Sequence, residues 1–267
     1  MSLRRLQHLV AVFLLTGGLV HAELPQHIPV CDDNAEWPPY TYLPLVHGKK
    51  SAWPTGYAVE YLQRILSARK VHFTLDLIPW RRCLREVERG QYALLLNSAD
   101  NAERERSYLV AKPYYATTLV YFFDQARSKP VINTAADLHK LHLCGVRDYN
   151  YAAFGLSASD MDTEADSPVS ALLKMKKGRC DAVPERLEVV LGYQSMGAIS
   201  LQARAIGYER VPGLAPSTFH MMVSRNLPYS AELLSVLNEG IDEMNKSGVA
   251  TELAIKYGLF STDNHPQ

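Results

Sequence analysis

The stretch VHFTLDLIPWRRCLREVERGQYALLL, residues 71–96, decides the fold class. From Val71 to Ile78 apolar and polar side chains alternate at first, the mark of a strand with one buried face. Pro79 then suits the opening turn of a helix, where a missing N–H costs no hydrogen bond. That helix runs to about Arg89 and stops at Gly90, a residue that adopts positive φ without steric penalty. Tyr92 to Leu96 follows as a continuous apolar run of the kind found in strands buried on both faces. Strand, helix and strand in this order predict an α/β sheet with mainly parallel strands.

The same grammar extends in both directions. Upstream, Ile28 to Cys31 reads as a short strand. Gly56 to Leu66 reads as a helix with Val59, Leu62, Ile65 and Leu66 on one face. Downstream, Leu141 to Val146 is a strand, and Ser167-Pro168 supplies an N-cap and a first-turn proline for a helix that ends at Gly178. Leu84, Val87 and Gly90 correspond to Leu172, Met175 and Gly178. Each glycine precedes a short strand, Tyr92 to Leu95 or Cys180 to Val183. The repeat predicts two lobes of similar construction.

Composition narrows the function. The 267 residues carry 28 basic and 28 acidic side chains, a formal net charge of +0, which excludes a dedicated nucleic-acid binder. With 47% hydrophobic residues the chain is neither disordered nor of low complexity. The N-terminus combines Arg4 and Arg5, the apolar run Leu9 to Leu15 and the closing Val20-His21-Ala22, the pattern of a cleavable secretory signal over residues 1–22. Its apolar core is shorter than the roughly 20 residues of a membrane span. Cleavage after Ala22 leaves 245 residues with 26 basic and 28 acidic groups, a net of −2. Export to an oxidising compartment favours bridged cysteines. Cys31, Cys83, Cys144 and Cys180 allow three connectivities, and none belongs to a Cys-x-x-Cys pair of the metal-binding kind. Pairing inside each half, Cys31 with Cys83 and Cys144 with Cys180, fits the two-lobe plan, each bridge contributing roughly 4 kcal/mol in the loop-entropy model. Pairing across the halves would instead staple the lobes together. His139 and His142 lack acidic or cysteine partners nearby, so neither metal nor cofactor is expected.

Five blocks stand in a recognisable order: Gly56 to Leu62; Pro79 to Leu84; Ala102-Glu103-Arg104 followed by Lys112 to Tyr115; Gly178 to Val183; and Met244 to Gly248 followed by Lys256-Tyr257-Gly258. Their sequence and spacing resemble bacterial extracellular solute-binding proteins of family 3, the periplasmic receptors typified by amino-acid binders. The resemblance implies an α/β, two-lobe periplasmic binding protein fold (type II), with ligand in a cleft between lobes joined by two crossing strands. Lobe one would span residues 23–120 and 217–267, and lobe two 121–216. Leu119 to Phe123 would make the first crossing and Phe219 to Val223 the return. The implied role is a monomeric periplasmic receptor that captures a small polar solute by lobe closure and delivers it to an inner-membrane ABC-type permease, without bond chemistry. Relatives also imply one alternative, a cyclohexadienyl dehydratase using cleft carboxyls, with Glu185 or Glu36 as acid; a receptor that presents ligand to a membrane sensor is a third reading, since it needs the same closed form.

The resemblance also nominates residues. Arg104 occupies the position whose guanidinium clamps a ligand α-carboxylate with two parallel donors. Asn97, Ser98 and Asn101 lie just upstream as further polar contacts, with Ala99 where the family commonly carries a small hydroxyl residue. Trp37-Pro38-Pro39-Tyr40 is expected to run extended and to present Tyr40 to the cleft. Trp80 sits at a strand end, where open α/β sheets bind ligands. Tyr149 and Asn150 replace a small-residue turn that faces the ligand carboxylate. Glu185 and Arg186 occupy the positions where amino-acid binders offer an acid to the ligand ammonium. If Glu185 points inward an amino group is paired; if Arg186 does, the cleft prefers extra negative charge.

Overall fold

The structure, a computed structural model, describes residues 23–259. The predicted secretory signal, residues 1–22, lies outside the described residues. The chain enters through β1 (His27–Asp33) and makes a small projecting hairpin of β2 (Leu45–Val46) and β3 (Lys49–Lys50). It then alternates α1 (Tyr57–Ala68), β4 (His72–Ile78), α2 (Trp80–Glu88), β5 (Leu94–Ser98) and α3 (Ala102–Ser107), and leaves along β6 (Tyr108–Thr117). The second sheet begins with β7 (Leu119–Asp124) and continues through β8 (Leu143–Val146), β9 (Met161–Ala165), α4 (Pro168–Lys176), β10 (Ala182–Arg186), α5 (Leu187–Ser195) and β11 (Ile206–Arg210). The chain comes back as β12 (Ser217–Ser224) and ends in α6 (Ser230–Ser247) and α7 (Val249–Lys256).

The first sheet has the order β4-β1-β5-β12-β6 and the second β11-β7-β10-β8-β9. In each, three strands run parallel, β4-β1-β5 in one and β10-β8-β9 in the other, and the remaining pairings are antiparallel. The sheets are therefore mixed rather than mainly parallel. The antiparallel pairings are made by the strands that join the crossings: β7 enters the second sheet between β10 and β11, and β12 returns to the first between β5 and β6. The crossings themselves also differ from expectation. Leu119 to Phe123 lies inside the second sheet and Phe219 to Val223 inside the first. The outward crossing is Thr118 alone, because extended backbone passes straight from β6 to β7. The return is the segment between β11 and β12, and the two lie side by side: Ser217 pairs with Thr117, and Val211 N–H donates to Leu119 O at 3.1 Å.

Each lobe has its own disulfide, Cys31–Cys83 and Cys144–Cys180, as pairing within halves predicts. α1 buries Tyr57, Ala58, Tyr61, Leu62, Ile65 and Leu66, one stripe at helical spacing. Its first turn depends on Gly56, which has φ +131° and whose added Cβ would stand 2.2 Å from Tyr40 O, so only glycine fits. In the second lobe Ser167 caps α4 by accepting from Ser170 N at 3.2 Å, and Pro168 opens the helix. α6 and α7 pack back on the first lobe against α1.

Candidate functional site

The C-terminal ends of the parallel strands converge on the seam between the lobes, where open α/β sheets hold ligands. The cavity there is lined by Asp32, Asp33, Trp37, Trp80, Asn97 and Ala99 with Arg104 and Phe219 on the first lobe, and by Tyr149, Asn150 and Arg186 on the second.

Arg104 reaches the cavity from α3, whose N-cap Asn101 accepts from the Arg104 backbone N–H at 2.8 Å. One end of its guanidinium is fixed: Nη1 donates to Ser98 Oγ at 2.8 Å and to Ala99 O at 2.6 Å. Its Cζ lies 5.6 Å from the centre of the Trp80 ring, a cation–π contact. Burial lowers the pKa of Arg104 to about 10, the charge of Arg186 adding to the fall against the opposing pull of Tyr108, so the group stays charged at neutral pH. Arg186 enters from the end of β10. Its Nη2 donates to Asn150 O at 2.8 Å, Nη1 stands 3.5 Å from Glu185 Oε1, and its Cζ lies 5.3 Å from the Phe154 ring and 5.8 Å from those of Tyr151 and Phe219.

Two carboxyls from the end of β1 complete the wall. Asp32 accepts from Asp33 N at 2.9 Å and Asn97 Nδ2 at 2.5 Å, and it also bonds the Thr41 hydroxyl. Burial nonetheless raises its pKa to about 7. Asp33 accepts from Ala35 N and from the Tyr149 hydroxyl, each at 3.0 Å, and from the Trp80 backbone. Burial pushes its pKa up as well. Asn97 is oriented from behind, where Tyr114 and Tyr115 donate to its Oδ1 at 3.1 and 2.8 Å.

The lobes are shut in this structure. Tyr149 of the second lobe bonds Asp33 of the first, and Asn150 Nδ2 donates to Asp100 O at 3.2 Å. Tyr193 donates to Ala35 O at 2.7 Å and Glu36 O at 2.8 Å. The Trp37 and Tyr149 rings meet edge to face with centroids 5.4 Å apart.

Of the residues nominated from sequence, Arg104, Trp80, Asn97, Tyr149, Asn150 and Arg186 come together on the cavity. Tyr40 does not. The Pro38–Pro39 bond is cis, and Tyr40 N–H closes the turn onto Trp37 O at 2.8 Å, so the segment turns instead of running extended. The turn sends Trp37 to the cavity and Tyr40 into the core, where its ring stacks on Tyr115 at 3.9 Å. Glu185 does not face the cavity either. Side chains alternate along β10, and the one that lines it is Arg186, with Glu185 fully buried beside it. Glu36 is buried elsewhere, accepting from Leu43 N at 2.8 Å and paired with Lys50. Asp32, Asp33 and Phe219 escaped the sequence reading. The available signal was that Asp32 and Asp33 directly follow the first strand, at its C-terminal end.

No curated protein matches the chain in sequence. Among solved structures it is similar to the arginine-, lysine-, histidine-binding protein ArtJ of the thermophilic bacterium Geobacillus stearothermophilus, at TM-score 0.70 and 21% identity over 89% of this chain and 97% of that one. It is similar to a histidine kinase sensor domain with similarity to periplasmic binding proteins, at TM-score 0.71 and 20% identity over 87% and 96%. It also resembles the ancestral amino-acid-binding protein AncCDT-1, a precursor of cyclohexadienyl dehydratase, at TM-score 0.68 and 14% identity over 87% and 95%. At these identities the likenesses establish the two-lobe α/β fold. The profile of the bacterial extracellular solute-binding proteins, family 3, matches residues 31–260. By that match, across nearly all of its length, the chain belongs to the bacterial extracellular solute-binding proteins of family 3.

Proposed function

We propose that the mature chain, released by cleavage after Ala22, is a monomeric periplasmic receptor for a small polar solute bearing a carboxylate. In this reading lobe one is residues 23–120 with 217–267, lobe two is 121–216, and an ABC-type permease receives the solute. Arg104 is the clamp. The observation that carries this is the half-used guanidinium: Nη1 is spent on Ser98 and Ala99, while Nε and Nη2 make no hydrogen bond among the described residues and the side chain lines the cavity. A positively charged donor pair held rigidly at a cavity wall is the arrangement that recognises a carboxylate. Asn97, Trp80, Tyr149 and Asn150 border the solute, and closure stores the binding energy as a shift between open and shut states. The similarity to a kinase sensor domain supports a second receiver for the same closed form, a membrane sensor.

Thermal-shift screening of the mature protein against amino acids, polyamines and carboxylates tests the proposal. A carboxylate-bearing solute raises the melting temperature in a concentration-dependent way. Arg104→Ala abolishes that shift. An unchanged shift in Arg104→Ala removes the clamp from the proposal. Mass spectrometry after incubation with prephenate is expected to show no turnover, and conversion would replace the receptor by a dehydratase.

A further inference from the structure

The cavity is unequal in what it leaves open. Its two carboxylates are consumed by the protein itself: Asp32 is engaged by Asp33 N, Asn97 and Thr41, and Asp33 by Ala35 N, Tyr149 and the Trp80 backbone. With three donors each, they hold little acceptor capacity for a ligand. The third acid of this region, Glu185, has a buried Oε2 without a partner, but it stands behind Arg186 and does not line the cavity. The guanidiniums are the reverse. Arg104 on the first lobe has Nε and Nη2 without hydrogen bonds among the described residues, and Arg186 on the second lines the cavity with only Nη2 bonded, to Asn150 O, Nη1 at 3.5 Å from Glu185 Oε1 and a buried Nε without a partner.

We infer that the cavity takes an organic dianion, a dicarboxylate with a flat or apolar body, in preference to an α-amino acid. The inference rests on the receptor reading above and names its solute class. An α-ammonium would enter this site and lose its water without meeting an open carboxylate oxygen on the cavity wall, which is costly in a buried setting. A second carboxylate meets Arg186 and lies between two cations held by opposite lobes, so it also draws the lobes shut. The charges of the two arginines already feel one another, since Arg186 contributes to lowering the Arg104 pKa after the larger effect of burial. The body of the solute is specified by aromatic walls. Trp80 lies under Arg104 at 5.6 Å, Phe219 under Arg186 at 5.8 Å, and Trp37 stands 5.7 Å from Phe219.

The test is titration calorimetry of the mature protein with succinate, phthalate, glutamine and histidine. Succinate or phthalate is expected to bind at least about tenfold more tightly than either amino acid, the difference of one charge-assisted contact. Arg186→Gln should remove about that factor for the dianion. Because Arg186→Gln leaves Glu185 unpaired in the interior, the double variant E185Q/R186Q, its fold checked by circular dichroism, is measured beside it. Equal or tighter binding of glutamine or histidine overturns the dianion class and leaves the receptor standing. Unchanged dianion affinity in the folded double variant also overturns it. Heat from none of the four, with no thermal shift from any solute in the wider screen, takes down the receptor reading and the dianion together.

Discussion

Replacing Gly192 by alanine should separate closing from folding. Gly192 lies inside α5, with no positive φ to demand glycine, so alanine there improves the helix by about 0.8–1.0 kcal/mol. In the shut state, however, the new Cβ would stand 2.5 Å from the carbonyl carbon and oxygen of Pro38 and 2.8 Å from Pro39 N, on the other lobe. Ordinary contact begins near 3.4 Å, so the seam must part by about 1 Å at this point. The obstruction is backbone and cannot rotate away. Overpacking of this kind costs about 1–3 kcal/mol, and here the cost falls on the shut state alone. The expected outcome is a ligand-free melting temperature no lower than that of the parent, with solute affinity reduced about 5- to 150-fold. Calorimetry reads the affinity, and small-angle scattering reads a larger radius of gyration for the liganded protein. Affinity within about twofold of the parent, together with an unchanged liganded radius, would refute the reasoning that α5 meets the Pro38–Pro39 turn at the limit of closure.

Tyr149→Phe keeps the ring against Trp37 and removes only the hydroxyl that bonds Asp33 across the seam. It should shift the ligand-free equilibrium towards open by about 2 kcal/mol, roughly 30-fold, and an unchanged scattering profile without ligand would count against the latch. Asp32→Asn tests the buried acid. Because folding raises the Asp32 pKa from 3.8 to about 7, the folded state binds more protons than the unfolded one between those values, and this group's contribution to stability falls as pH rises through them. The full effect is about 4 kcal/mol. Asp32→Asn should therefore flatten the melting-temperature profile between about pH 4 and 7 and exceed the parent above pH 7, whereas parallel profiles would sink the assignment.

Much of the architecture was legible because it rests on local rules. Gly90 and Gly178 end helices before buried strands, Ser167-Pro168 starts one, and four cysteines divided two and two between similar halves pointed to the observed bridges. What failed to show is non-local. Nothing near Tyr40 in the sequence reveals that Pro38–Pro39 is cis and that the chain turns here, so the local pattern points its ring to the wrong side. The choice between Glu185 and Arg186 depends on the pleat of β10, whose phase is set by pairing with β7 and β8 rather than by its own residues. Asp32 and Asp33 carry no local signature because their roles come from Asn97, Thr41 and Tyr149, residues distant along the chain. The crossings are hidden for the same reason. Apolar runs mark strands but not the sheet each one joins.

In the receptor proposed above, the paired crossings limit what a receiving molecule could sense. Thr118 and the stretch before Ser217 run adjacent, tied by Ser217 to Thr117 and by Val211 to Leu119 O, and the Glu188 carboxylate accepts from Thr118 N–H with both oxygens, at 2.9 and 3.1 Å. Two short connections fixed together leave the halves one easy rotation rather than several. The chemistry of a solute, with its many coordinates of shape and charge, is thereby compressed into a single angle. A receiver that senses only that angle has no access to which solute produced it. All discrimination must then be completed before the angle is reached, inside the cavity, and any molecule able to shut it speaks with the same voice.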